Sequence, residues 1–207
     1  MPNVSVIFDG QGGLTSTVRC FYSNVASQPY STILGGQGNT ASGCFSVVTG
    51  GRTNTASSCF TSIFAGRSNT SDSQYGFIGG GQSNKVLSST YSVLVGGCIN
   101  SIRQSPNVCT SFNYLGGGYA NTICDSSVSV LGGGALNLIK TDGDFNTISG
   151  GRQNSILDSI PGVSVFYSVI GGGYNIGIGG SYSRATSIGN ATIPTTLNDQ
   201  VLLNDAI

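Results

Sequence analysis

Hydrophobic and polar residues recur along this chain in units of about fifteen residues. Each unit contains a glycine motif that an asparagine follows three positions later, as in GGRTN at 50–54 and GGGQSN at 79–84. With the last glycine of each motif as position 0, the units are set by Gly36, Gly51, Gly66, Gly81, Gly97, Gly118, Gly134, Gly151 and Gly173. Such fixed-period self-similarity indicates a repeat protein.

The residue at position −3 is aliphatic in every unit, which defines a core ladder of Ile33, Val48, Ile63, Ile78, Leu94, Leu115, Leu131, Ile148 and Ile170. Position −5 is mostly a small polar residue, and position −1 is almost always glycine. Alternation with a period of two is typical of a β-strand. A second inward position, at +5, lies beyond the glycine corner. Each unit is therefore predicted to contain two short strands and two turns.

Units of this length cannot hold two packed helices, so stacking them in register predicts an all-β, parallel β-solenoid. We expect about nine coils over residues 31–191, stacked about 4.8 Å apart. Residues 1–30 would form an N-terminal cap or attachment segment, and 192–207 a C-terminal tail or connection. Two of the intervals between successive position-0 glycines are longer than the others, which places inserts at 103–113 and 157–168. Inserts in repeat proteins collect on one side, often a binding side.

The glycine motif has a structural explanation. Glycine permits positive φ or a close backbone approach at the corner, and asparagine tolerates left-handed geometry and can bond its own turn. In adjacent coils we expect the asparagine side chains to stack as an amide ladder. This corner ladder comprises Asn39, Asn54, Asn69, Asn84, Asn100, Asn121, Asn137 and Asn154. A phosphate-binding loop would need a helix after the glycines, and no helical pattern follows any copy.

Position −4 points away from the core ladder, and six of its nine residues are apolar or aromatic. A single thin coil would expose them to water, whereas assembly around a threefold axis would bury them and stabilise the oligomer. We therefore expect a homotrimer; a lone solenoid with a scattered apolar surface is the alternative. The trimer-interface candidates are Val47, Phe77, Val93, Tyr114, Val130 and Val169.

Composition restricts the function. The chain has 33 Gly, eight acidic residues that are all Asp, and no His, and its net charge is zero. This neutrality does not favour binding to nucleic acid, and no apolar run approaches the length that inserts into a membrane. Acid–base and nucleophilic catalysis lack partners without His and Glu. We therefore expect a protein that is not an enzyme and has no cofactor.

Position +1 forms an outward ladder beside the glycine corners. Arginine and tyrosine are residue types that anchor interfaces or stack on sugar rings. The surface-recognition candidates in this column are Arg52, Arg67, Tyr119, Arg152 and Tyr174. The alternative for each is a solvated ladder residue that provides solubility.

Two further pairs of side chains are candidates for chemistry. Asp142 and Asp144 flank Gly143, but two carboxylates are too few for a convincing calcium site, so we expect a solvated loop and no metal. Cys44 and Cys59 share a register in adjacent coils, and their spacing is compatible with a disulfide. A stacked pair of buried, reduced thiols is the expectation here.

Several stretches resemble a known family. YSVLVGGCINSI (91–102), YSVIGGGYNIGIG (167–179) and ATSIGNA (185–191) are similar to the head repeats of YadA-type trimeric autotransporter adhesins. GGQGNTASGCFSVVTGGRTNTASS (35–58) also resembles repeats of phage and viral fibre proteins. The resemblance covers about residues 31–191. It implies a left-handed parallel β-roll that assembles as a trimer, with an adhesive or attachment role.

The sequence shows no secretory signal, long heptad stalk or membrane-anchor strands. We therefore expect a non-enzymatic structural protein of a virus or phage: a trimeric surface fibre, head decoration or receptor-binding module, made in a host cytoplasm and placed on the virion surface. Its expected partners are further copies of itself, other virion proteins through the terminal segments, and a host-surface glycan or protein. The alternative is a cell-surface adhesin. Ice binding is a distant third, because only one threonine column is present and it fails in later coils.

Overall fold

The computed structural model describes residues 17–18, 23–105, 111–158, 164–180, 185–188 and 201–203. In these ranges every regular element is a β-strand, and the strands stack into the predicted parallel β-solenoid of about nine turns. No helix of the described part is long and apolar enough to cross a membrane.

The strands form two parallel sheets, and consecutive coils supply neighbouring strands of each. Sheet A consists of β1 (Thr17–Val18), β3 (Thr32–Ile33), β5 (Val47–Val48), β7 (Ser62–Ile63), β9 (Phe77–Ile78), β11 (Val93–Leu94), β13 (Tyr114–Leu115), β15 (Val130–Leu131), β17 (Thr147–Ile148), β19 (Val169–Ile170), β21 (Thr186–Ile188) and β22 (Val201–Leu203). Sheet B consists of β2 (Val25–Ala26), β4 (Thr40–Ala41), β6 (Thr55–Ala56), β8 (Thr70–Ser71), β10 (Lys85–Leu87), β12 (Ser101–Arg103), β14 (Thr122–Cys124), β16 (Leu138–Lys140), β18 (Ser155–Asp158) and β20 (Gly177–Gly180).

A third ladder runs along the solenoid, on a side that lies between the two sheets. It consists of one bridging residue per coil at position +1, paired in parallel with the same position of the next coil. This bridge ladder runs through Gln37, Arg52, Arg67, Gln82, Cys98, Tyr119, Ala135, Arg152 and Tyr174. The sequence predicted only two strands and two turns per unit. The third side was missed because a single bridging residue carries no alternation that marks a strand.

Backbone hydrogen bonds join each coil to both neighbours, and corner residues reverse the direction in which the N–H group donates. Within sheet A an N–H donates to the following coil, as from Val47 to the carbonyl of Thr61 at 2.9 Å. At the corners Thr53 and Phe60 have φ of 56° and 58°, and their N–H groups donate to the preceding coil. Left-handed φ costs a non-glycine residue about 1–2 kcal/mol. The inter-coil hydrogen bond that it permits offsets part of that cost.

Contact between coils requires the glycine at position 0. Gly51 has a φ of 89°, and a Cβ on it would lie 2.1 Å from the carbonyl oxygen of Gly66. The preceding Gly50 has no atom within 4 Å of the corresponding point, and the next unit carries Ala65 there. In these two coils, therefore, it is the second residue of the pair, the glycine at position 0, that approaches the backbone of the next coil closely.

The asparagine at position +3 bonds its own turn, as expected, but it does not use the left-handed φ that it tolerates. The residue before it does, as at Ser83, whose N–H bonds to the preceding coil. Asn84 is buried: its Oδ1 accepts the N–H of Asn100 at 3.0 Å, and its Nδ2 donates to the carbonyls of Gly80 and Gly97. The other asparagines of the corner ladder repeat this pattern. The ladder therefore connects mainly side chain to backbone, although Asn137 Nδ2 also donates to Asn121 Oδ1.

Two apolar columns fill the interior. The core ladder of sheet A, from Ile33 to Ile170, is fully buried. The +5 column of sheet B lies inside as well, with alanines in early coils and isoleucines in most later ones. Most buried polar residues at position −5 form hydrogen bonds, as Asn113 Nδ2 does to the carbonyl of Ser126, whereas Ser46 Oγ has no partner among the described residues. Each coil therefore contributes little more than one aliphatic pair to the core.

Strand pairing extends on both sides of residues 31–191. Thr17–Val18 pairs with Thr32–Ile33, and Val201–Leu203 pairs with Thr186–Ile188, so sheet A continues into both terminal segments. Residues 106–110 and 159–163 of the two inserts lie outside the described residues, as do most of residues 1–22 and 189–207.

Candidate functional surfaces

The trimer-interface candidates lie on the outward side of sheet A. Each is the first residue of a two-residue strand whose second residue belongs to the core ladder, as with Tyr114 before Leu115. Tyr114 and Val130 are exposed by 42% and 41%, and Val47, Phe77, Val93 and Val169 are half-buried. In the single chain these apolar side chains therefore stay partly accessible to water.

A column of aromatic rings stands beside them and was not found from the sequence. It occupies position −6, at the corner that leads into sheet A, and its rings are 40% to 53% exposed. This aromatic ladder comprises Tyr30, Phe45, Phe60, Tyr75, Tyr91, Phe112, Phe145 and Tyr167. The signal was present, because eight of the nine residues at that position are Tyr or Phe and the ninth is Val128.

The rings of the aromatic ladder stack face to face. From Tyr30 to Phe112 the centroids of successive rings lie 4.6 Å to 5.1 Å apart, and successive planes differ by at most 14°. Phe145 and Tyr167 form a second stack at 5.1 Å. Because the faces of inner rings cover one another, mainly ring edges meet the solvent. The ladder is therefore an apolar ridge and not a platform on which sugar rings can stack.

Position −2 completes the outward side of sheet A. Leu34, Phe64 and Val95 occupy it in three coils and are exposed, and the ring of Phe64 contacts that of Phe77 with centroids 5.6 Å apart. Positions −4 and −2 lie on the same outward side of sheet A because strand side chains alternate. The exposed rings at position −6 come two residues before position −4, at the corner. We call these three columns together the apolar face.

The surface-recognition candidates belong to the bridge ladder. Arg52, Arg67 and Arg152 are exposed, as are Tyr119 and Tyr174. The arginines at 52 and 67 are neighbours in the ladder, so the backbone positions that carry these two like charges are about one strand spacing apart, near 4.8 Å. The structure places these side chains on a different side of the coil from the apolar face.

The cysteine pair is not buried, which corrects that part of the prediction. Cys44 and Cys59 are free thiols, and both are half-buried at the corner next to the aromatic ladder. Partial desolvation raises the pKa of Cys44, and its hydrogen bond with Cys59 and the charge of that thiol add to the shift. The pair lies at an exposed turn because position −7 belongs to the corner and not to a strand.

Asp142 and Asp144 have separate roles in the turn that follows β16. The N–H of Asp142 donates to a carboxylate oxygen of Asp158, and Asp144 accepts the N–H of Ser127. No group of three His, Cys, Asp or Glu side chains within the described ranges could hold a metal ion. The carboxylates of Asp144 and Asp158 therefore hold backbone groups of neighbouring turns, and Asp142 takes part through its backbone.

A similar arrangement holds Asp125 at the corner after β14. Its carboxylate accepts hydrogen bonds from the N–H and Oγ of Ser105 and from the Sγ of Cys124. Burial alone would raise the pKa of Asp125, but these hydrogen bonds and the charge of Arg103 outweigh that effect and lower it. Burial raises the pKa of Cys124, and the hydrogen bond to Asp125 adds to the shift.

The threonine column on sheet B is interrupted. Thr40, Thr55 and Thr70 are neighbours in the sheet and half-buried, but Lys85 and Ser101 separate them from Thr122. Leu138 then replaces threonine in the next coil. The outward side of sheet B therefore lacks a regular threonine array.

A search of protein families finds no family model that matches this chain, and no curated protein matches it either.

Proposed function

We propose that this chain is a non-enzymatic structural protein that assembles through its apolar face into a homotrimer. In this role the trimer is a surface fibre, head decoration or receptor-binding module of a virus or phage particle. The observation that carries the proposal is the apolar face, where aromatic and aliphatic side chains remain exposed along the length of sheet A. Contiguous exposed apolar surface of this kind marks interaction sites in soluble proteins.

The shape of the core supports self-association. Each coil buries little more than one aliphatic pair, so a single solenoid gains little apolar burial per residue. Removing apolar surface from water contributes about 25 cal/mol per Å². Packing the apolar faces of three copies around a common axis adds such burial in every coil without any change of fold.

The solenoid also suits a mechanical role. Its strands are parallel and in register, and each coil is bonded to both neighbours through backbone groups. Nine bridge-ladder positions span about 40 Å at one strand spacing per coil. A rigid rod with terminal segments that continue sheet A can attach at one end and present its sides to a partner.

A cell-surface adhesin is the second candidate. The resemblance of residues 91–102 and 167–179 to YadA-type head repeats favours it, because those heads are trimeric and adhesive. Both candidates predict a trimer, and they differ in the structure to which the trimer is attached.

Sedimentation velocity of the full chain at micromolar concentration tests the assembly, and we expect a trimer. Val93→Asp places a charge in the middle of the apolar face and should shift the species to monomer. Thr122→Asp places the same charge on the outward side of sheet B and should leave the trimer intact. A wild-type monomer, or equal dissociation by both variants, would contradict the proposal.

The site of attachment needs a separate experiment. Antibody against the full chain should label the surface of purified particles, and a density map of the intact particle should show trimeric rods of the solenoid's dimensions. Labelling confined to the envelope of producing cells, with none on particles, would instead support the adhesin.

A further inference from the structure

A cavity of about 360 Å³ opens beside sheet B, away from the apolar face. Its lining residues are Arg103, Gln104, Ser105, Cys124, Asp125 and Lys140. Arg103, Cys124 and Lys140 are direct neighbours on β12, β14 and β16. The two cationic residues therefore stand two strand spacings apart, about 10 Å at the backbone.

The carboxylate in this cavity is already provided with donors. Both oxygens of Asp125 accept hydrogen bonds, from Ser105 and from Cys124. Among the described residues, neither Arg103 nor Lys140 contacts a carboxylate closely enough for an ion pair, although the charge of Arg103 lowers the pKa of Asp125. Both cations are exposed. The charge of Arg103 thus acts on Asp125 and Cys124, and Lys140 provides a second positive charge in the cavity.

Gln104 provides an independent sign of a missing ligand. It is only 7% exposed, and within the described part of the chain neither its Nε2 nor its Oε1 has a hydrogen-bond partner. A buried amide without partners destabilises the folded state, since both atoms have lost water and gained nothing. The buried polar groups of the corner ladder, such as Asn84, are bonded in contrast. The amide therefore has one donor group and one acceptor to offer.

We propose that this cavity binds an oxyanion carried by a hydroxyl-rich molecule, namely a saccharide with a carboxylate or sulfate group. Arg103 and Lys140 bind the oxyanion through charge-assisted hydrogen bonds. Gln104 donates to a ring substituent and accepts from a hydroxyl group, which satisfies both of its free atoms. The volume lies at the lower end of the range for ligand pockets and suits one or two sugar rings.

Charge restricts the ligand to a molecule with few negative groups. Asp125 lies within the cavity, and Asp142 and Asp158 line the adjoining cavity of about 430 Å³. A nucleic acid or a long polyanion would bring its further charges close to these carboxylates. A single acidic sugar avoids that repulsion. The inference rests on the proposed function for its biological meaning, as a receptor contact, but every residue of the cavity comes from one chain.

Calorimetric titration of the full chain with glucuronate, glucose 6-sulfate, glucose and inorganic sulfate tests the site. We expect glucuronate or glucose 6-sulfate to bind and glucose not to bind. Lys140→Gln should weaken that binding about tenfold, the loss expected for one charge-assisted hydrogen bond. Lys85→Gln removes the same charge at another exposed position on sheet B, outside the cavity lining, and should leave it unchanged. Failure of both acidic sugars to bind, or an equal effect of the two variants, overturns the proposal.

Gln104→Leu separates a ligand site from a structural defect. It removes both unpartnered atoms, so the melting temperature should stay the same or rise while sugar affinity falls. Unchanged affinity in this variant overturns the role of Gln104 in binding. Inorganic sulfate that binds as tightly as the acidic sugars overturns the proposal that the ligand is a saccharide. Sedimentation of the same samples reports the trimer separately, so a monomer that binds sugar contradicts only the assembly.

Discussion

At the residue scale, positive φ at the corners lets N–H groups donate to the preceding coil, whereas the strand N–H groups donate to the following one. Tyr75 and Ser83 adopt it with N–H groups that reach the preceding coil. Glycine is needed only where a Cβ would also meet the next backbone, as at Gly51. Steric contact, and not φ alone, therefore decides which corner positions tolerate a side chain.

Two neighbouring glycines provide a matched test of this distinction. Gly51→Ala should lower the free energy of unfolding by about 3 kcal/mol or more, because it adds left-handed strain to a backbone clash at 2.1 Å. Gly50→Ala has no atom within 4 Å to meet, and its effect should stay within about 0.5 kcal/mol. Chemical denaturation of both variants measures the difference. Equal losses would show that the corner is not limited by this contact.

At the element scale, the aromatic ladder accompanies the strands of sheet A. The five aromatic residues of the ladder from Tyr30 to Tyr91 adopt left-handed φ, a backbone conformation that is unfavourable for residues with bulky side chains. Stacking between successive rings favours the same arrangement, and aromatic pairs contribute about 0.5–1.5 kcal/mol beyond area burial. The ladder therefore stabilises contacts between coils at a corner that has no strand of its own.

Replacing one inner ring should reveal this contribution. Phe60→Ala removes stacking with both Phe45 and Tyr75, with centroids at 5.1 Å and 5.0 Å, and should lower the free energy of unfolding by about 2 kcal/mol. Phe64→Ala lies in the same coil and loses one tilted contact with Phe77, so its cost should be smaller. Denaturation at one fixed protein concentration compares them. A larger loss at Phe64 would indicate that inter-chain burial outweighs stacking within the chain.

The sequence was sufficient for the fold because repetition multiplies weak signals. Nine aliphatic residues at position −3 predicted the strands of sheet A, although each strand is mostly two residues long. The bridge ladder could not be predicted in this way, because one bridging residue per coil shows no alternation that marks a strand. The repeat register does align Arg103, Cys124 and Lys140, which all lie at position +6, but the burial of Gln104 without partners in the described part of the chain could not be read from it.

At the scale of the whole molecule, each coil contacts mainly the coils before and after it. Sheet A, sheet B and the bridge ladder all pair consecutive coils in parallel. In such a molecule, stability is approximately a sum over coils and their interfaces. We therefore expect the fifteen-residue period, and not the sequence of any one coil, to decide whether neighbouring coils can pair in register.

Removing one whole period tests this view. Deletion of residues 52–66 joins Gly51 to Arg67, restores every column and places Val48 next to Ile78 in the core ladder. We expect a folded β-protein with a modestly lower melting temperature and a cooperative transition. Deletion of residues 52–58 removes about half a coil, places sheet B positions against sheet A positions, and should abolish that transition. Circular dichroism and thermal unfolding measure both. If the fifteen-residue deletion unfolds the chain as the shorter one does, stability is not distributed over coils and depends on a particular part of the solenoid.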